Sequence, residues 1–297
     1  MNQRWARIAL LALGIFCAST AVILIKSNDD SPFLIAAYRL LIASTILTPF
    51  FLKERRNYSG PYGWTQVRIT LLPGLALALH FISWNIGVQL TPVSNASLII
   101  NMTPVAMPFF LWIFFRERIN RKEIIGTVLV LSGLIWLGVS SQKVSIASFR
   151  GNLICFASML FLALYMALGR RNNARLPLWL YMVPLYLTAG LVCLGSATFF
   201  INPIKAYSLK NVLIFFALGV IPTIGGHGIL NYSMKFFRGQ VVSIAYLGQI
   251  IFATIMGYFI FGEVPIPAFY LTAVLIVGGV IVTLSSGYQR RSITQTS

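Results

Sequence analysis

The chain is a series of long apolar runs separated by short polar gaps. Ten runs read as crossings, at about residues 6–26, 32–52, 69–90, 92–115, 122–140, 151–170, 177–200, 209–234, 240–261 and 266–286. Each is close to the length that an α-helix needs to cross bilayer hydrocarbon, about 20 residues. A barrel strand would alternate over about 10 residues, and these runs do not. The longest gap, about 53–68, is too short for a domain. The pattern predicts an all-α polytopic membrane protein with ten transmembrane helices.

Composition points the same way. The chain has 297 residues, 58% of them hydrophobic and only 10% charged, whereas a soluble domain carries about 25% charged residues. The basic start followed by an apolar stretch over residues 8–25 raises the possibility of a signal peptide. No A-x-A-like site follows it and a second run comes at once, so it reads as the first transmembrane helix. Cys17, Cys155 and Cys193 each sit inside an apolar run. None has metal-ligand or C-x-x-C spacing, so they read as small buried residues.

The net charge of +17 changes the picture only through its placement. In a soluble protein it would suggest nucleic acid, but here the basic residues lie between the runs. With the N-terminus placed in the cytoplasm, 17 Lys and Arg fall on the inner side, 5 on the outer side, and Arg39 inside a run. Basic residues near helix ends favour the cytoplasmic side. Both termini are therefore expected in the cytoplasm of a bacterial cell with the spans in its inner membrane. The partners implied are the lipid bilayer and a small-molecule substrate, with no nucleic acid and no cofactor. The expected assembly is a monomer or homodimer.

The two halves align. A shift of 146 residues pairs Asn85 with Asn231, Ser97 with Ser243, Phe115 with Phe261, Glu117 with Glu263, Gly133 with Gly279 and Ser140 with Ser286. Spans three to five superpose on spans eight to ten. Each half then holds five spans, residues 1–145 and 146–297. Five is odd, so the second half enters the membrane upside down. Inverted repeats of this kind build many secondary transporters, with substrate bound near the midplane between them.

The segment from Asn85 to Leu137 has a proline within span four, aromatic residues before Glu117 and a Gly-spaced span five. The second copy adds Phe261, Gly262, Glu263 and the Gly278–Gly279 pair, and Arg39 lies in AAYRLLIAS. On these residues the chain resembles the drug/metabolite transporter superfamily, EamA-like family, over nearly its whole length. It departs from the family pattern at Phe16–Cys17, where a Trp is usual, and at Arg116, where a Gly is usual. The resemblance implies efflux of a small organic metabolite.

Polar groups inside hydrocarbon are costly and usually face the bundle interior. The six acids, Asp29, Asp30, Glu54, Glu117, Glu123 and Glu263, all sit at span ends or in gaps. A carboxylate relay at the midplane is not expected. Helical spacing groups the other polar residues onto faces. His80 and Trp84 share one in span three, and Ser94, Ser97 and Asn101 one in span four. Ser158 and Tyr165 share a face in span six. His227 and Asn231 form one in span eight, and Ser243, Tyr246 and Gln249 one in span nine. Spans five and ten nearly lack such groups and suit the periphery. The candidate substrate-binding residues are His80, Trp84, Asn101, Tyr165, His227, Asn231, Tyr246, Gln249 and Arg39. Arg39 either snorkels to the interface or holds a substrate carboxylate. Glu117 and Glu263 read as structural markers of the repeat.

The leading functional reading is a secondary transporter that exports an amino acid or derivative by alternating access. The alternative is uptake or exchange of a nucleoside-like or sulfonium compound. An intramembrane enzyme is a remote third reading, because no H-E-x-x-H, G-x-S-x-G or P-loop is present and no acid lies near either His. The chain is read as a non-enzyme.

Overall fold

The structure is a computed structural model. It describes residues 3–90, 99–140, 149–172, 175–262 and 264–285. Among the described residues, ten helices account for the apolar runs. They are α1 Gln3–Lys26, α2 Pro32–Asn57, α3 Trp64–Leu90, α4 Thr103–Phe115, α5 Arg121–Ser140, α6 Phe149–Asn172 and α7 Leu178–Thr198. Three follow: α8 Leu209–Ser233, α9 in two pieces, Gly239–Tyr246 and Gln249–Phe261, and α10 Pro267–Leu284. Nine of these are long and apolar enough to cross a membrane, and α4 is a shorter apolar helix. The protein is a multi-pass integral membrane protein.

The packing repeats under exchange of the halves. Helix α2 lies on α7, α4 on α9 and α5 on α10. Helix α3 packs on α6 as α8 packs on α1, and on α7 as α8 packs on α2. Helix α4 meets α6 as α9 meets α1. Each pairing has its counterpart when the first helix of one half is read as the first of the other.

Individual residues obey the same exchange. A Cβ added at Gly126 of α5 would lie 2.7 Å from the Gly279 carbonyl oxygen of α10, and one at Gly279 would lie 2.7 Å from the Gly126 carbonyl oxygen. The 146-residue counterpart of this contact is Gly133 with Thr272, whose Oγ1 donates to the Gly133 carbonyl at 2.8 Å. Bare backbone thus lets α5 and α10 touch, as small residues do at membrane helix interfaces. Their other faces carry exposed Val128, Ile135, Val274 and Ile281, which suit lipid contact.

Polar residues close one end of the bundle, the end that carries the N-terminus. Glu54 at the end of α2 accepts from the Trp179 and Leu180 amides at 2.7 and 3.2 Å, capping α7. A carboxylate is stabilising at a helix N-terminus. Tyr62 donates to the Leu180 carbonyl at 3.0 Å. Burial pushes its hydroxyl up to about 12 against the opposing pull of Arg55, so it stays a donor at neutral pH. Asn120 and Glu123 form a reciprocal capping box at the start of α5, with both bonds 2.9 Å.

Candidate functional site: a central cavity

The site begins with an irregularity in α8. Residues Gly219–Gly228 form a π-helical stretch containing Pro222. Proline removes an amide donor and crowds the preceding turn, and π turns occur often at functional positions. The widened turn is held by side chains. Thr223 Oγ1 donates to the Leu218 carbonyl at 2.7 Å, and Tyr186 of α7 donates to the Thr223 carbonyl at 3.1 Å.

Arg39 of α2 reaches this turn. Its Nε donates to Thr223 Oγ1 at 2.9 Å, and its guanidinium carbon lies 4.3 Å from the centre of the Phe81 ring. Arg39 is only 2% exposed, so it does not snorkel to the interface. Its Nη2 makes no hydrogen bond.

Beside Arg39, Phe81 of α3 meets His227 of α8 edge-on at 5.5 Å between ring centres. These two residues are 146 apart, so each is the other's counterpart, and their contact marks the axis of exchange. Around it lies a cavity of about 430 Å³, a volume typical of small-molecule sites. Its polar lining is Arg39, His80, Trp84, Asn101, His227, Tyr246 and Gln249, with Ser19 and Thr254. Gln249 Nε2 donates to Asn101 Oδ1 at 3.3 Å, joining α9 to the turn just before α4. Among the described residues no carboxylate lines the cavity.

His80 is fixed from behind. Its Nδ1 lies 3.2 Å from the Ser158 carbonyl oxygen and 2.9 Å from Ser158 Oγ, while that hydroxyl donates to the His80 carbonyl at 3.0 Å. A carbonyl can only accept, so Nδ1 carries the proton. In the neutral ring Nε2 is then left as an acceptor.

Seven of the nine residues singled out from the sequence therefore share the cavity. Tyr165 and Asn231 lie outside its lining: the Asn231 amide donates to the Tyr165 hydroxyl and to the His227 carbonyl, joining α6 to α8 beneath the His227 ring. Ser243 is buried away from the cavity. Ser94, Ser97 and Glu263 lie outside the described residues. The periphery expected for spans five and ten holds for their lipid faces only, because Leu134, Leu137, Gly138, Ile266 and Phe269 form an apolar wall of the cavity. Sequence reasoning missed Thr223 and Tyr186. The cluster Pro222, Gly225, Gly226 and Gly228 was the available signal that α8 departs from a regular helix.

The cavity runs from the His80–His227 level to the helix ends at Ile25, Gly138 and Val264. At the opposite end a charge cluster joins four elements. Arg238 Nε lies 2.6 Å from Glu123 and 3.3 Å from Glu117, and Arg170 Nε lies 3.9 Å from Glu117. These are charge contacts rather than aligned hydrogen bonds. Arg238 and Arg170 also donate to the backbone carbonyls of Arg118 and Met234.

A central cavity within a repeated helical bundle is the arrangement of a membrane transporter of the two-repeat class. The sequence profile described as the EamA-like transporter family matches residues 5–139 and again 149–285. The chain belongs to the EamA-like transporter family. It is 21% identical to an uncharacterized transporter of Archaeoglobus fulgidus over 97% of this chain and 100% of that one. A second uncharacterized transporter of that organism is 23% identical over 93% of this chain and 83% of the other. A WAT1-related protein of Arabidopsis thaliana is 29% identical over 44% of this chain and 41% of its own length. A crystal structure with 19% sequence identity superposes with a TM-score of 0.78 over 94% of this chain and 97% of its own, a likeness of fold.

Proposed function

We propose that the protein exports a small organic metabolite, an amino acid or derivative, by alternating access. The observation that carries this reading is the one-sided cavity. It reaches the face opposite the N-terminus and is closed at the other by Glu117, Glu123, Arg170 and Arg238. Two repeats, 1–145 and 146–297, related by exchange make the mirror-image state, open to the other face, similar in energy. Substrate sits against Arg39, His80, Trp84, Asn101, His227, Tyr246 and Gln249, with Tyr165 and Asn231 supporting from below. The excess of basic residues on one side supports a cytoplasmic location for both termini, in a bacterial cell. The cavity then faces outward in this state, as at the end of an export stroke.

Counterflow tests the reading. Proteoliposomes loaded with unlabelled amino acid are diluted into a trace of labelled amino acid. Transient accumulation of label is expected, and its loss when Gly257→Trp fills the cavity wall. Accumulation that persists with the cavity filled would sink the proposal. Loading each side of oriented vesicles in turn reads the direction.

A further inference from the structure

Among the described residues the cavity is lined by one fixed positive charge and no acid. Arg39 lines it, is 98% buried by its 2% exposure, and leaves Nη2 without a partner. A buried unpaired guanidinium is costly unless something satisfies it. Its nearest polar neighbours cannot: Thr223 Oγ1 takes Nε and donates its own proton to Leu218. Phe81 offers only its ring face. No acid among the described residues faces the cavity to balance the charge. The remaining lining is aromatic or aliphatic, with the two histidines and the amide and hydroxyl groups of Ser19, Asn101, Tyr246, Gln249 and Thr254.

We infer that Arg39 selects the cargo by charge: the substrate is a small organic acid with an apolar or aromatic body, anionic or zwitterionic, whose carboxylate completes Arg39. The inference rests on the transport reading above and narrows its substrate class. A guanidinium and a carboxylate pair through two parallel hydrogen bonds, and Nη2 is one donor already free. A second fixed charge of either sign finds no partner in the lining. An ammonium group of a zwitterion is served by acceptors, the Tyr246 hydroxyl and the Gln249 and Asn101 carbonyls, rather than by an ion pair. A cation without a carboxylate, such as a sulfonium or a simple amine, meets Arg39 as a like charge and is rejected. His80 adds a second filter, because its Nε2 acceptor suits a donor group on the cargo body.

The test is a matched series that varies charge and keeps shape: phenylpropionate, phenylalanine, phenylalaninamide and phenethylamine. Binding is read as thermal stabilisation of the purified protein in chloride-free buffer, and transport as counterflow. The two acids are expected to stabilise and exchange, and the amide and amine to do neither. Arg39→Gln should weaken the acids by roughly 10- to 100-fold, as for a lost hydrogen bond to a charged group. Arg39→Lys should recover only part of that, because an ammonium lacks the fork. The wild-type series decides the matter even where Arg39→Gln fails to fold. Equal binding of amine and acid overturns the inference while leaving transport standing. Stabilisation by chloride or by oleate, with none from the water-soluble acids, also overturns it, showing an inorganic ion or a lipid carboxylate on Arg39. Absence of counterflow by every member of the series tells against the transport reading itself.

Discussion

Arg116 and Gly262 hold the same place 146 residues apart, each ending a helix in the left-handed region, at φ 54° and φ 68°. Glycine adopts this conformation freely, while an L-residue is disfavoured there by about 1–2 kcal/mol. Arg116 recovers part of that by lying 5.2 Å over the Trp112 ring. Two variants separate the effects. Arg116→Ala keeps the strain and loses the ring contact, so it should destabilise; Arg116→Gly should be more stable than the Ala variant by about 1 kcal/mol. Thermal unfolding in one detergent compares them, and equal midpoints would contradict the strain argument. A second residue-scale prediction concerns His80. Ser158→Ala removes the hydroxyl behind the His80 ring and should cost only about 0.6 kcal/mol, the average for an interhelical hydrogen bond in membranes. His80→Leu should retain the fold yet weaken acid binding several-fold, which a titration followed by intrinsic tryptophan fluorescence would read, with Trp84→Phe as the control for the cavity signal.

At the scale of elements, the α5–α10 contact depends on backbone touching backbone. Gly126→Leu would force a side chain against the Thr283 hydroxyl and the Gly279 carbonyl, the latter already 2.7 Å from a bare Cβ. Over-packing of this kind costs roughly 1–3 kcal/mol, and Gly279→Leu should cost a similar amount by the exchange of halves. Unequal losses in thermal unfolding would break that symmetry argument. The same exchange explains what could be read in the sequence. Run length against bilayer thickness is a one-dimensional constraint, so all ten helices were legible. The Glu117–Glu263 and Gly133–Gly279 matches exposed the repeat because they recur at one shift. The face of α3 was legible from 3.6-residue spacing, since His80 and Trp84 both line the cavity, whereas the other faces reach it only in part, through Asn101 just before α4, His227 of α8, and Tyr246 and Gln249 of the α9 span. The π turn in α8 was not, because periodicity assumes a regular helix, and that turn brings Thr223 to Arg39. The place of Tyr165 and Asn231 beneath the cavity was also hidden, since spacing gives a face but not a depth.

For the whole molecule, the proposed alternating access requires the charge cluster of Glu117, Glu123, Arg170 and Arg238 to open when the cavity turns to the other face. It joins the ends of α4 and α6, the start of α5 and the link between α8 and α9. The pairs to Glu117 are partly exposed and worth about 0–1 kcal/mol each, while Glu123 is fully buried against Arg238, so Arg238 is the residue on which the cluster turns. Arg238 contacts both glutamates, and Arg238→Gln removes the cation while keeping a polar side chain. A loss of about 1 kcal/mol shifts a two-state population roughly fivefold. The readout is maleimide labelling of Thr254→Cys, which lines the cavity, after replacement of Cys17, Cys155 and Cys193. With the cluster intact, labelling is expected to be faster from the face opposite the N-terminus. In Arg238→Gln, labelling from the N-terminal face should rise several-fold, and Glu117→Gln should move it the same way by a smaller amount because Glu123 still holds Arg238. Rates unchanged from both faces would show that closure at this end rests on packing of α4 against α6 and not on charge. Loosening the cluster should also weaken acid binding measured from the opposite face, because the state that presents Arg39 there becomes less populated.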